Sequence, residues 1–177
     1  QSKINNEIGY DPSAYYGYGA NVNYESTRRN GVSLRQKVSL TRNLAARLNI
    51  QYTRAKFADG TYAGNEVPNV APIAGNLSFD YSVSPNDLIT ATTGFSNSRY
   101  MSGDFSNDQS KTSGYAVEDF SYYHQEKNWS VVANVLNITN KKYTDTGIYH
   151  PTFTSPYNLT VYPNSGRNFS LTGRYLF

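Results

Sequence analysis

Apolar and polar residues alternate one by one along most of this chain. Val32, Leu34, Val38 and Leu40 share one parity, and Ser33, Arg35, Lys37 and Ser39 hold the other. Leu44, Ala46, Leu48, Ile50 and Tyr52 oppose Arg47, Asn49, Gln51 and Thr53. Leu77, Phe79, Tyr81 and Val83 oppose Asn76, Ser78, Asp80 and Ser82, and Trp129, Val131, Ala133 and Val135 oppose Ser130 and Asn134. Phe169, Leu171, Tyr175 and Phe177 alternate with Ser170, Thr172 and Arg174. A period of two puts the apolar set on one face of a strand, whereas a helix needs i, i+3, i+4 spacing. Weaker segments, Ile89 to Phe95, Tyr115 to Tyr123 and an opening stretch around Ile4 to Tyr10, bring the expectation to about eight strands.

The connections alternate in length. Thr41–Asn43, Ser84–Asp87 and Gln125–Asn128 are short polar turns. Asp11–Thr27, Ala58–Val70, Ser102–Thr112 and Thr139–Ser165 are long and rich in Gly, Asn, Asp, Tyr and Pro. Tight turns at one end and long loops at the other define an antiparallel up-and-down transmembrane β-barrel, with the turns periplasmic and the loops outside. Strands of about ten residues suit a tilted crossing. Aromatics near strand ends (Tyr52, Tyr81, Trp129, Tyr175 and Phe177) resemble an interfacial girdle. The same alternation also permits a soluble lipocalin-like barrel with its apolar face inward.

Composition narrows this little. The 177 residues are 38% hydrophobic with mean hydropathy −0.63, and no run approaches a membrane helix. A barrel wall needs only one apolar face, so a polar average is compatible with it. Cysteine is absent, which removes disulfides and thiolate chemistry. The net charge of +3 is dispersed and forms no nucleic-acid stripe. Gln1 to Asn6 do not read as a signal peptide.

Three stretches resemble the C-terminal part of TonB-dependent outer-membrane receptors. Asn23 to Leu34 resembles a strand start with an Arg-x-Gly-hydrophobic-x-hydrophobic pattern. Val132 to Tyr143 resembles the penultimate strand and its Asn-hydrophobic-Asn-Lys-x-Tyr exit. Gly166 to Phe177 resembles the Gly-Arg-x-aromatic terminal strand. Ser33 departs from the family, which often has Glu there. The resemblance implies a 22-stranded barrel around a plug, with an N-terminal TonB box. It implies uptake of a ferric siderophore or a similarly scarce small molecule, and residence in the outer membrane of a Gram-negative bacterium. The expected partners are outer-membrane lipid, the plug and remaining strands, the TonB complex and the barrel-assembly machinery. On this reading residues 1–177 are the last strands of the barrel, without plug or TonB box. Tyr175 and Phe177 are the assembly signature. A self-contained eight-stranded barrel, structural or adhesive, is the alternative.

No catalytic constellation is visible, and no cofactor or metal is implied. His124 and His150 fall at opposite ends of the wall. Asp104 and Asp108 have calcium-like spacing but no closing Glu, and read as ordinary loop acids. The candidate ligand contacts are loop aromatics: Tyr15, Tyr16, Tyr18, Tyr62, Phe105, Tyr149, Phe153 and Tyr157. The alternative is that they pack the loops or sit at the outer interface. Arg28, Arg29, Lys56 and Arg99 lie near outer strand ends, suited to an anionic ligand or to lipid phosphates.

Overall fold

In a computed structural model, residues 1–12, 14–150 and 158–177 are described. The strands are β1 (Ser2–Ile4), β2 (Ile8–Asp11), β3 (Ala20–Asn23), β4 (Thr27–Ser39), β5 (Leu44–Phe57) and β6 (Ile73–Ser82). They continue as β7 (Asp87–Ser96), β8 (Tyr115–Gln125), β9 (Trp129–Leu136), β10 (Thr144–His150), β11 (Asn158–Pro163) and β12 (Asn168–Tyr175). Eight of them form one antiparallel sheet in the order β1-β4-β5-β6-β7-β8-β9-β12. The strands at its two ends, β1 and β12, are not neighbours, so the sheet is an open wall. That sets aside both a closed eight-stranded barrel and a lipocalin-like one.

From β4 to β12 the ladder runs without a bulge, so each face keeps one parity throughout. On the inner, lumenal face the polar side chains join laterally. Arg35 Nε donates to Asn49 Oδ1 at 3.1 Å, and Asn49 Nδ2 donates to Asn76 Oδ1 at 2.9 Å. Arg47 meets Asp80, which also accepts from Thr90 at 2.9 Å. Ser121, Asn134 and Ser170 continue the chain across β8, β9 and β12. The outer face carries the apolar set. Val38, Ala46, Phe79, Ala91, Phe120, Val135 and Phe169 lie side by side in one row. Val32, Leu34, Leu171 and Tyr175 are exposed there, as a lipid-facing surface requires.

Two segments differ from the reading of the sequence. The opening stretch is divided: Asn6 adopts φ 54°, a left-handed turn that Asn tolerates. Residues before it pair with β4, and Ile8–Asp11 turns away to pair with β3. The first and last long loops therefore each contain a hairpin, β2–β3 and β10–β11. Tyr-rich, Gly-rich sequence masks the period of two at the first place, and sequence interrupted by Pro and Thr masks it at the second.

Candidate ligand-facing loops and lumenal cavity

The outer loops share a small aromatic core on the inner side of the wall. Phe57 ends β5 with its side chain facing inward, and it is 2% exposed. Phe105, Ala55 and Val67 are buried with it, and Tyr24, Tyr62 and Val70 pack around them. Ring centroids lie 4.9 Å apart for Tyr24–Phe105, 5.7 Å for Phe57–Tyr62 and 5.6 Å for Tyr62–Phe105. Such tilted aromatic pairs add stabilisation beyond the area they bury. Asn107 locks the same loops by accepting from the Glu66 amide at 2.6 Å and donating to the Glu66 carbonyl at 3.1 Å. Burial pushes the Tyr24 hydroxyl well above its ordinary range, with the charges of Asp11 and Glu7 adding to the effect, so it stays a neutral donor to the Tyr10 carbonyl.

Asp104 is almost fully buried. Its carboxylate accepts the amides of Asp108 at 2.9 Å and Gln109 at 3.1 Å. That carboxylate braces the loop. Burial raises its pKa despite these bonds. Among the described residues no three His, Cys, Asp or Glu side chains gather as metal ligands. His124 lies at the short-turn end, stacked 4.8 Å from Trp129 and 2.8 Å from Asp87. His150 lies on the outer hairpin, within 2.8 Å of Thr160.

A second junction ties the third loop to the fourth. Arg99, 6% exposed, pairs with Asp145 and donates to Ser96 Oγ at 2.8 Å. Tyr115 donates to the same Asp145 at 3.1 Å and stacks on Tyr143 at 4.4 Å. The Tyr143 hydroxyl is raised, first by burial and then by Asp145 and Asp119. Below this junction an open cavity of about 820 Å³ lies on the inner face, lined among others by Asn76, Ser96, Tyr115, Asp119, Tyr143 and Asp145. Its size and its mix of rings and polar groups suit a small-molecule ligand.

The aromatics singled out from the sequence fall into three groups. Tyr62, Phe105 and Tyr149 are packed within the loops. Tyr15, Tyr16 and Tyr18 stand out at 76%, 98% and 85% exposure. Tyr15 and Tyr16 both have positive φ, 56° and 61°, a costly conformation for bulky residues. Phe153 and Tyr157 lie outside the described residues. The cavity residues Tyr115, Asp119 and Asp145 were not among the sequence candidates. For Tyr115 and Asp119 a signal existed: both share the inward parity of β8.

An amphipathic antiparallel wall, lipid-compatible outside and hydrogen-bonded inside, with tight turns at one end and packed loops at the other, is a sector of an outer-membrane β-barrel. Residues 1–138 match the family described as TonB dependent receptor-like, beta-barrel. The chain belongs to the TonB-dependent receptors, a family of transport receptors. No curated protein sequence matches it. Among solved structures it is similar to the ferric yersiniabactin uptake receptor FyuA from Yersinia pestis, with TM-score 0.72 and 20% identity over 88% of this chain and 24% of that one. It is also similar to the ferric-catecholate import receptor Fiu from E. coli K12, closed form, with TM-score 0.69 and 19% identity over 99% and 24%. The copper transporter OprC gives TM-score 0.71 and 20% identity over 90% and 25%. This chain thus spans about a quarter of the length of these receptors.

Proposed function

We propose that residues 1–177 supply the closing strands of the barrel of an outer-membrane active-transport receptor that imports a scarce ligand such as a ferric siderophore. The plug, the remaining strands and the segment that engages the TonB complex belong to the rest of that receptor. The barrel-assembly machinery inserts it, with Tyr175 and Phe177 as its signature. The observation that carries this reading is the inner face: a polar wall that ends, beneath the packed loops, in a cavity of about 820 Å³. Tyr15, Tyr16 and Tyr18 are the first contacts for an arriving ligand, because their rings are exposed and lose little entropy on binding. Tyr62, Phe105 and Tyr149 serve by holding the loops in shape. Phe153 and Tyr157 are proposed contacts from the last loop.

Three experiments test it. Reading the coding sequence upstream of Gln1 is expected to show a plug and further strands in frame, and a stop codon there overturns the assembly. Deleting the gene from its source strain is expected to abolish energy-dependent uptake of at least one radiolabelled ferric siderophore. Unchanged uptake of every siderophore tried, and of haem, cobalamin and copper, overturns the transport reading. In the receptor, Tyr15→Ala/Tyr16→Ala/Tyr18→Ala is expected to weaken ligand binding about tenfold or more by equilibrium titration.

A further inference from the structure

The lining of the inner-face cavity gives it a definite charge. Among the described residues no Lys, Arg or His lines it, and its carboxylates are those of Asp119 and Asp145. Asp145 is committed. It pairs with the buried guanidinium of Arg99 and accepts from Tyr115 at 3.1 Å. Asp119 has no cation. Its Oδ1 accepts the Asn137 amide at 2.8 Å, and its other oxygen has no hydrogen-bond partner among the described residues. An amide is a dipole and not a charge, so one negative charge stands uncompensated on the inward parity of β8.

An aromatic wall stands beside that charge. Tyr115 and Tyr143, with ring centroids 4.4 Å apart, both line the cavity. Burial, then Asp145 and Asp119, raise the Tyr143 hydroxyl, so the ring stays neutral and its face electron-rich. Lys141 and Lys142 line a neighbouring hollow that shares Tyr115 and Tyr143 with the cavity. Both lysines are exposed, and solvent and salt screen them.

An anionic ligand entering here gives up its hydration and meets a carboxylate with no cation in return. A ligand with an ammonium group gains a charge-assisted hydrogen bond to Asp119 and a cation–π contact with the rings. We propose that this cavity selects metal chelates that carry a free ammonium group, with Asp119 as the anion that binds it and Tyr115 and Tyr143 as its aromatic wall. The inference rests on the reading of the chain as part of an import receptor, and it names the ligand class within that reading.

The test uses the full-length receptor in detergent and matched pairs of ferric chelates. Each chelate bears a pendant amine and is compared with its N-acetylated form, which keeps the iron site and loses the charge. Ferrioxamine B heads the panel, and an anionic ferric tricatecholate is added. Affinities are read by equilibrium titration. At least one amine-bearing chelate is expected to bind about tenfold or more tightly than its acetylated partner. In Asp119→Asn, which keeps the acceptor for the Asn137 amide, that advantage is expected to fall to within about twofold while the acetylated partner binds as before. Tyr143→Leu lies outside the wall strands, and it is expected to weaken the amine-bearing partner alone by about fivefold.

Acetylated forms that bind as well as the amines, or tightest binding by the tricatecholate, overturn the proposal without any variant. An undiminished amine advantage in Asp119→Asn overturns it as well. So does an equal loss for both partners in Asp119→Asn and Tyr143→Leu, because that is a structural effect and not recognition of charge. Failure of the import reading is a different result: no chelate of the panel binds and none is taken up by cells, and this inference then falls with it.

Discussion

Leu48 and Asn49 are neighbours in β5 that meet different solvents. Leu48 faces the apolar side, and Asn49 is bonded between Arg35 and Asn76 on the lumenal side. Leu48→Arg is expected to cost ~2–4 kcal/mol in reversible folding of the intact protein into vesicles, and Asn49→Arg less. Equal penalties count against the assignment of faces. Phe57→Ala opens a cavity in the loop core and is expected to cost ~3–5 kcal/mol, read as faster hydrogen exchange at Ala55, Val67 and Phe105. Asp59 responds to acid. The Ser26 hydroxyl and then the Ser26 amide hold its carboxyl below the ordinary 3.8. A lowered carboxylate stabilises the fold above the unfolded value, and the contribution is lost as pH falls through the lower folded one. Protection of the Ser26 amide is therefore expected to be constant from pH 7 to about pH 4 and to drop below that. The faces of Leu48 and Asn49 are plain from the sequence, because parity alone sets them. The burial of Phe105 and Tyr62 is not, because an aromatic in a loop packs or protrudes according to partners distant in sequence: Phe105 meets Tyr24, Phe57 and Tyr62.

Strands with a sustained period, β4, β5, β6, β9 and β12, match their expected positions to within a few residues, and so do β7 and β8, where the period is weaker. The short ones do not. β1 has three residues, too few to show any period, and β2–β3 and β10–β11 sit in sequence that reads as loop. What fixes these elements is backbone geometry at Asn6 and pairing across long separations, neither of which leaves a periodic mark. A strand-level device is equally silent in the sequence: Gly75 lies between Ile50 and Phe95, and the Phe95 ring covers it. A methyl group there meets the Asn49 carbonyl at 2.3 Å and Phe95 at 3.0 Å. Gly75→Ala is expected to destabilise the β5–β6–β7 unit by about 1–3 kcal/mol, measured by denaturant midpoint.

At the scale of the molecule, the wall has two free edges among the described residues, β12 and the stretch of β4 beyond β1. Long free edges must find partners or aggregate, and in the receptor reading other strands of the same barrel cover them. Phe177 packs on Tyr175 at 5.2 Å between ring centroids on the outer face. Deleting Phe177 is expected to lower the amount of receptor in the outer membrane, measured by surface labelling. Normal amounts imply that the terminal aromatic is dispensable for assembly.

The unbroken ladder from β4 to β12 also shapes how such a protein varies over generations. One inserted residue inside a strand exchanges lipid-facing and lumen-facing side chains from that point to the strand's end, so the wall tolerates substitutions but resists changes of length. The exposed Tyr15–Tyr18 segment belongs to no ladder of the wall. Length drift is thereby channelled into the mouth, where loops can change size while the wall keeps its frame.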